Sequence, residues 1–148
     1  MPKLLNIGHV HLKVSDLKKA EEFYTKLLGF KVNERANGYI FLTLGKRHHD
    51  LALQEIENAK KPTEDTIGLY HFAIEAKNIR ELAKLYFKLK QEDVNVSPID
   101  HGISKALYFS DPDGNGIEVY VDTRHIRKNW KGLSKLIPEY ELETLNKK

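Results

Sequence analysis

The chain has 148 residues, seven histidines, one methionine and no cysteine, with 24 basic against 21 acidic residues and a formal net charge of +3. Absence of cysteine excludes disulfides, thiolate nucleophiles and cysteine-held zinc or iron–sulfur centres, so a metal here needs His and Asp/Glu ligands. With 41% hydrophobic and 30% charged residues the chain reads as a folded domain, and its charges are too evenly mixed to point to nucleic acid. No apolar run reaches membrane length and no signal-type core precedes the first element, so the expectation is no membrane partner and a cytoplasmic location.

Residues 9–14, from His9 to Val14, alternate in the manner of a strand. Ser15 and Asp16 can cap the next segment, where Leu17, Ala20, Phe23, Tyr24, Leu27 and Leu28 recur at helical spacing before the stop at Gly29. Strand-like runs follow over 30–35, 39–44 and 50–56, punctuated by Asn37, Gly38 and Gly45. A polar stretch from Asn58 to Gly68, containing Pro62, reads as a linker.

The same order then returns. Residues 70–75 predict a strand, Asn78 and Glu81 a capping box, and Ile79, Leu82, Leu85, Tyr86 and Leu89 a helix stripe. Strands are expected near 94–97, 105–110 and 116–121, the last two separated by the turn-rich Asp111-Pro112-Asp113-Gly114-Asn115-Gly116. From His9 to His71 the offset is 62 residues. The pattern predicts an α+β fold: two tandem βαβββ modules, about 6–57 and 69–122, forming a cup-shaped mixed sheet within a single domain 1–122. Residues 123–148 remain as a tail. Trp130, Leu133, Leu136 and Ile137 suggest a short helix there, interrupted by Pro138.

His9 and His71 occupy the same place in the two modules, so the repeat puts both imidazoles on equivalent sheet faces. Glu118 lies between apolar Ile117 and Val119. Alone it reads as the solvent side of a strand. With two imidazoles it completes a facial triad for a divalent metal. The position matching Glu118 in the first module is Ala52, so no fourth ligand is expected. His11 shares the face of His9 and reads as pocket lining without an assigned role, and His125 in the basic tail reads as solvated.

Four stretches carry a resemblance: Ile7-Gly8-His9-Val10, Phe23 to Phe30, Leu69-Tyr70-His71-Phe72-Ala73, and Asp111 to Glu118. Together they resemble the vicinal oxygen chelate superfamily of glyoxalase I, fosfomycin- and bleomycin-resistance proteins and type I extradiol dioxygenases, and most of all the catechol 2,3-dioxygenases. The resemblance implies a metal-dependent ring-cleaving dioxygenase that uses O2 on a catechol-like small molecule in aromatic catabolism. It implies His9, His71 and Glu118 as ligands of Fe(II), with Mn(II), Zn(II) and Ni(II) as alternatives, and a homodimer. It implies His49, in His49-Asp50-Leu51-Ala52, as the acid–base group, and His101 and Tyr108 as groups that orient the bound substrate. Ring-cleaving members commonly carry two such domains, where this chain carries one. The alternatives are a glyoxalase- or fosfomycin-resistance-type lyase or transferase, and a drug-binding module without catalysis. Ala52 disfavours the four-ligand glyoxalase pattern, and an intact triad disfavours the binding module.

Overall fold

The computed structural model describes residues 1–63 and 65–147. Its chain divides into two compact units, Met1–Pro62 and Thr63–Lys148. Each contains a mixed sheet with one helix ahead of its last three module strands, so the class is α+β.

The first unit contains β1 (Val10–Val14), α1 (Leu17–Glu22), a π-helical turn (Phe23–Leu27), β2 (Lys31–Ala36), β3 (Tyr39–Thr43) and β4 (Leu51–Glu55). Asp16 caps α1 by accepting the Lys19 amide at 3.0 Å, and the Glu55 carboxylate takes the Leu17 amide at 2.8 Å. One continuous helix was expected to Leu28. Instead the ladder widens after Glu22, where the Thr25 hydroxyl donates back to the Glu21 carbonyl at 2.7 Å and competes with the backbone. Gly29, at φ 75°, then closes the segment with Phe30 N–H reaching the Tyr24 carbonyl at 3.2 Å. The sheet order is β1-β4-β3-β2, with β1 parallel to β4 and the other pairs antiparallel. Leu12, Val14, Ile40, Leu42, Leu51 and Leu53 are buried with Ala20, Phe23 and Tyr24 from the helical segment.

The second unit repeats this topology: β5 (Phe72–Glu75), α2 (Ile79–Gln91), β6 (Ser97–Asp100), β7 (Ser104–Ser110) and β8 (Gly116–Asp122), followed by β9 (Lys135–Leu136) and α3 (Glu139–Lys147). Its order is β5-β8-β7-β6-β9, again with the first module strand parallel to the last. Asn78 caps α2 through the Glu81 amide at 3.0 Å, but the Glu81 carboxylate turns to Lys84 at 2.8 Å, so only half of the expected capping box forms. Leu82, Ala83, Tyr86 and Leu89 of α2 are buried with Leu107, Phe109, Ile117 and Val119 of the sheet.

Two expected elements lie elsewhere. The strand predicted near 94–97 begins at Ser97, because Val94 N–H still returns to the Leu89 carbonyl at 2.9 Å across Asp93 at φ 55°. The tail helix predicted over Trp130–Ile137 is absent. Lys135–Leu136 pair with β6 instead, and the helix starts after Pro138. Proline lacks an amide hydrogen that a helix start does not need, so here it begins a helix rather than ending one. Leu142 of α3 is completely buried, and Glu139 binds Lys90 of α2 at 2.8 Å. Among the described residues no helix is long and apolar enough to cross a membrane.

Candidate metal and substrate site

In the second unit the face opposite α2 carries the polar groups. Register places Glu118 of β8 between Ala73 of β5 and Tyr108 of β7, all pointing the same way. His71, two residues before Ala73, belongs to that face. Its Nε2 lies 3.0 Å from Glu118 Oε2, with 28% and 14% of the two side chains exposed. The other ring nitrogen, Nδ1, is buried without a hydrogen-bond partner among the described residues.

The loop ahead of β8 makes this approach possible. Asp111 is buried, and its carboxylate accepts the amides of Asp113 and Asn115, both at 2.9 Å, and the Asn115 side chain at 2.8 Å. Its role is to hold the turn. At Gly116 a Cβ would stand 2.1 Å from the Tyr70 carbonyl oxygen and 3.1 Å from His71 Cβ. Only glycine lets the start of β8 lie so close to the backbone that presents His71.

Tyr108 bridges the His71–Glu118 pair to His101. Its ring centroid is 5.4 Å from that of His71, and its hydroxyl is 2.9 Å from His101 Nε2. Burial first, then the Glu118 carboxylate, push the Tyr108 phenol well above its ordinary range, so it stays protonated. His101 sits in the β6–β7 turn, where its amide donates to the Ser104 carbonyl at 2.9 Å and Gly102 takes φ 77°. The other ring nitrogen, Nδ1, is 3.0 Å from the Leu133 carbonyl and 3.1 Å from Ser134 Oγ.

In the first unit His9 precedes β1 and is exposed, its ring 4.4 Å from that of His49. His49 Nδ1 meets His48 Nδ1 at 3.0 Å, and His48 Nε2 meets Glu34 Oε2 at 3.0 Å. Partial burial first, then the His9 and His48 imidazoles, lower the His49 pKa against an opposing pull from Asp50. Asp50 fixes the loop: its carboxylate accepts the Leu44 amide at 2.7 Å and its carbonyl the Val10 amide at 3.0 Å. His11 is exposed beside Tyr39, ring centroids 5.9 Å apart. Register sets Ala52 beside His11 as Glu118 stands beside Ala73, so Ala52 is the structural counterpart of Glu118.

Of the six expected site residues, the second unit assembles His71, Glu118, Tyr108 and His101, and the first brings His9 to His49. Among the described residues no group of three His, Asp or Glu side chains is drawn together to hold a metal. The His71–Glu118 pair nevertheless fits one: two ligand atoms about 2.1 Å from an ion at neighbouring corners of an octahedron lie about 3.0 Å apart, and the observed separation is 3.0 Å. A nitrogen and a carboxylate oxygen suit Fe(II), Mn(II), Ni(II) and Zn(II) alike. Sequence reasoning missed Glu34 and His48 beside His49, and Trp130, Leu133 and Ser134 beside His101. The adjacent histidine was a visible signal for the first group. For the second there was none, because the 3.0 Å contact comes from a main-chain carbonyl and the Ser134 hydroxyl lies 33 residues along the chain from His101.

Comparison with known proteins adds four findings. Residues 6–119 match the family model described as the Glyoxalase/Bleomycin resistance protein/Dioxygenase superfamily. The chain is 35% identical over 127 residues to a catechol-2,3-dioxygenase of Bacillus subtilis (strain 168), with 85% of this chain aligned to 44% of that one. It is 30% identical over 118 residues to the glutathione transferase FosA of Serratia marcescens, with 80% and 82% aligned. It thus spans less than half the length of the dioxygenase relative and most of the transferase. A solved glyoxylase/bleomycin resistance protein/dioxygenase domain from Frankia sp. EAN1pec superposes with a TM-score of 0.68 at 23% identity, covering 81% of this chain and 99% of that one, which supports the fold.

Proposed function

The chain belongs to the glyoxalase/bleomycin resistance protein/dioxygenase superfamily, and from that membership we propose that it is a metal-dependent extradiol dioxygenase acting with O2 on a catechol-like substrate. The observation that carries the reading is the His71–Glu118 pair at 3.0 Å with the Tyr108–His101 hydrogen bond beside it. His9, His71 and Glu118 are the proposed ligands. A divalent metal held by them, Fe(II) in this reading, supplies a Lewis acid for two adjacent hydroxyl groups and electrons for dioxygen.

The remaining steps belong to the side chains. His49, with its pKa below the ordinary histidine value, is neutral at physiological pH and can take a proton from a substrate hydroxyl at Nε2 and later return it. Tyr108 stays protonated and is held by His101, so its oxygen orients the substrate by accepting from a substrate hydroxyl. Phe41, with its ring centroid 5.0 Å from that of His49, offers an apolar wall. A homodimer and a cytoplasmic, aromatic-catabolic setting are part of the same proposal. Exposed Leu4, Leu5 and Ile7 ahead of β1, and Ile67, Leu69 and Tyr70 ahead of β5, support the dimer as apolar surface next to sheet-edge strands.

A second reading, a metal-dependent transferase of the fosfomycin-resistance kind, is favoured by the 82% coverage of FosA. One experiment separates them. The full chain, purified without oxygen, is analysed for metal and for oxygen uptake on adding catechol, and its mass is measured by sedimentation. Bound Fe(II), O2 consumption and a dimer are expected. Metal binding without O2 uptake moves the protein to the second reading, and loss of metal binding altogether removes both.

A further inference from the structure

The C-terminal segment has no part in the chemistry assigned so far, yet it touches that chemistry at one place. Thr123 is buried and ties the start of the segment to the β6–β7 turn, its hydroxyl on the Gly102 carbonyl and its amide on the Ile103 carbonyl, both at 2.8 Å. Gly102 leaves room for the segment, since a Cβ there would stand 2.6 Å from Arg127 and 3.1 Å from Leu133. Lys131 and Gly132 then take φ 51° and 72°, and the turn directs the Leu133 carbonyl at His101. A lysine held in the left-handed region marks a turn that its surroundings dictate. The same carbonyl accepts the Trp130 indole N–H at 2.6 Å, so both of its lone pairs are used.

A carbonyl can only accept. His101 Nδ1, 3.0 Å from it, therefore carries the hydrogen, with the Ser134 hydroxyl at 3.1 Å as its second acceptor, and in the neutral ring Nε2 is bare. The Tyr108 hydroxyl at 2.9 Å then has to be the donor to Nε2. That phenol has one proton and two acceptors near it, His101 and the carboxylate of Glu118, its direct partner across the β7–β8 ladder. In the opposite tautomer His101 would donate to the phenol oxygen and release the phenol proton towards Glu118.

We infer that the segment Trp130–Ser134 is a positioning element that fixes His101 as its Nδ1–H tautomer and so keeps the Tyr108 proton off Glu118. The consequence for the site is chemical. Glu118 retains its lone pairs for a cation, and the Tyr108 oxygen offers lone pairs to a ligand hydroxyl. This rests on the reading that Tyr108 and Glu118 face the ligand, but its test needs neither metal nor substrate.

The test is long-range proton–nitrogen NMR of the metal-free, full-length chain labelled in histidine, at a pH above about 8 where imidazoles are neutral. The expected result is a protonated Nδ1 and a bare Nε2 at His101. An Nε2–H ring in the unaltered protein overturns the inference without any variant being made. Trp130→Phe removes the indole donor that holds the carbonyl, and Ser134→Ala removes the neighbouring hydroxyl. Each is expected to lower the Nδ1–H to Nε2–H ratio about 2- to 10-fold, the worth of one hydrogen bond. Tyr108→Phe removes the donor to Nε2 and is expected to lower the ratio by no more than the same factor, leaving Nδ1–H the major tautomer. An unchanged ratio in both tail variants, or a flipped tautomer in Tyr108→Phe, assigns control elsewhere. Catechol turnover, measured separately, reports on the proposed reaction and not on this point.

Discussion

Gly116→Ala tests how the site is held together. The added Cβ would lie 2.1 Å from the Tyr70 carbonyl oxygen. A carbon–oxygen contact tolerates about 3.3 Å, so the start of β8 and the strand bearing His71 must part by about 1 Å. Tyr70 is the residue before His71, and Glu118 is two residues after position 116, so the separation acts on the 3.0 Å His71–Glu118 pair. Overpacking of this kind costs about 1–3 kcal/mol, a fall in Tm of about 3–10 °C for a chain of this size. Disturbing the support of metal-binding side chains also costs about 10–100-fold in metal affinity. Calorimetric titration with Mn(II) and thermal unfolding of the same sample measure both. Gly114→Ala is the control: at φ 88° with open space around it, it pays backbone strain of about 1–2 kcal/mol and leaves the pair alone. Equal metal affinity in Gly116→Ala and the unaltered chain, or equal loss in both variants, would refute the argument.

Two further outcomes follow from the packing and the electrostatics. Leu142→Ala empties a fully buried position on α3 and is expected to cost about 2–5 kcal/mol in urea unfolding; a loss below about 1 kcal/mol would mean that α3 is an appendage. His49 has its folded pKa below the unfolded value of 6.5. Its contribution is therefore complete above that value and lost as pH falls through the folded pKa. In the metal-free chain, the urea midpoint is expected to drop more steeply below pH about 6.5 than in His49→Gln, and parallel profiles would contradict the assigned burial.

Much of the architecture was legible because it depends on period and punctuation. Leu12 and Val14, or Leu82 and Leu89, mark buried faces by spacing alone, and the repeat then carries the register that makes Ala52 the counterpart of Glu118. The errors have local physical causes. Thr25 widens the first helix by bonding backward, Asp93 holds Val94 within the exit of α2, and Pro138 begins a helix where it was read as an interruption. At the candidate site, side-chain identities were readable but their supports were not. The carbonyl of Leu133 has no residue-type signature, and the Glu34–His48 contact joins positions 14 residues apart across a sheet.

The pairing of first strand with last in both units also has a kinetic side. Among the described residues β1 pairs only with β4, and β5 only with β8, so the strands beside His9 and His71 gain their partners after the intervening elements have been made. On a ribosome, the antiparallel hairpin of β6 and β7 can form from local contacts before β5 has anything to join. The step that seats β5 against β8 is thus the most non-local strand pairing in its unit, and it is the step that brings His71 to Glu118.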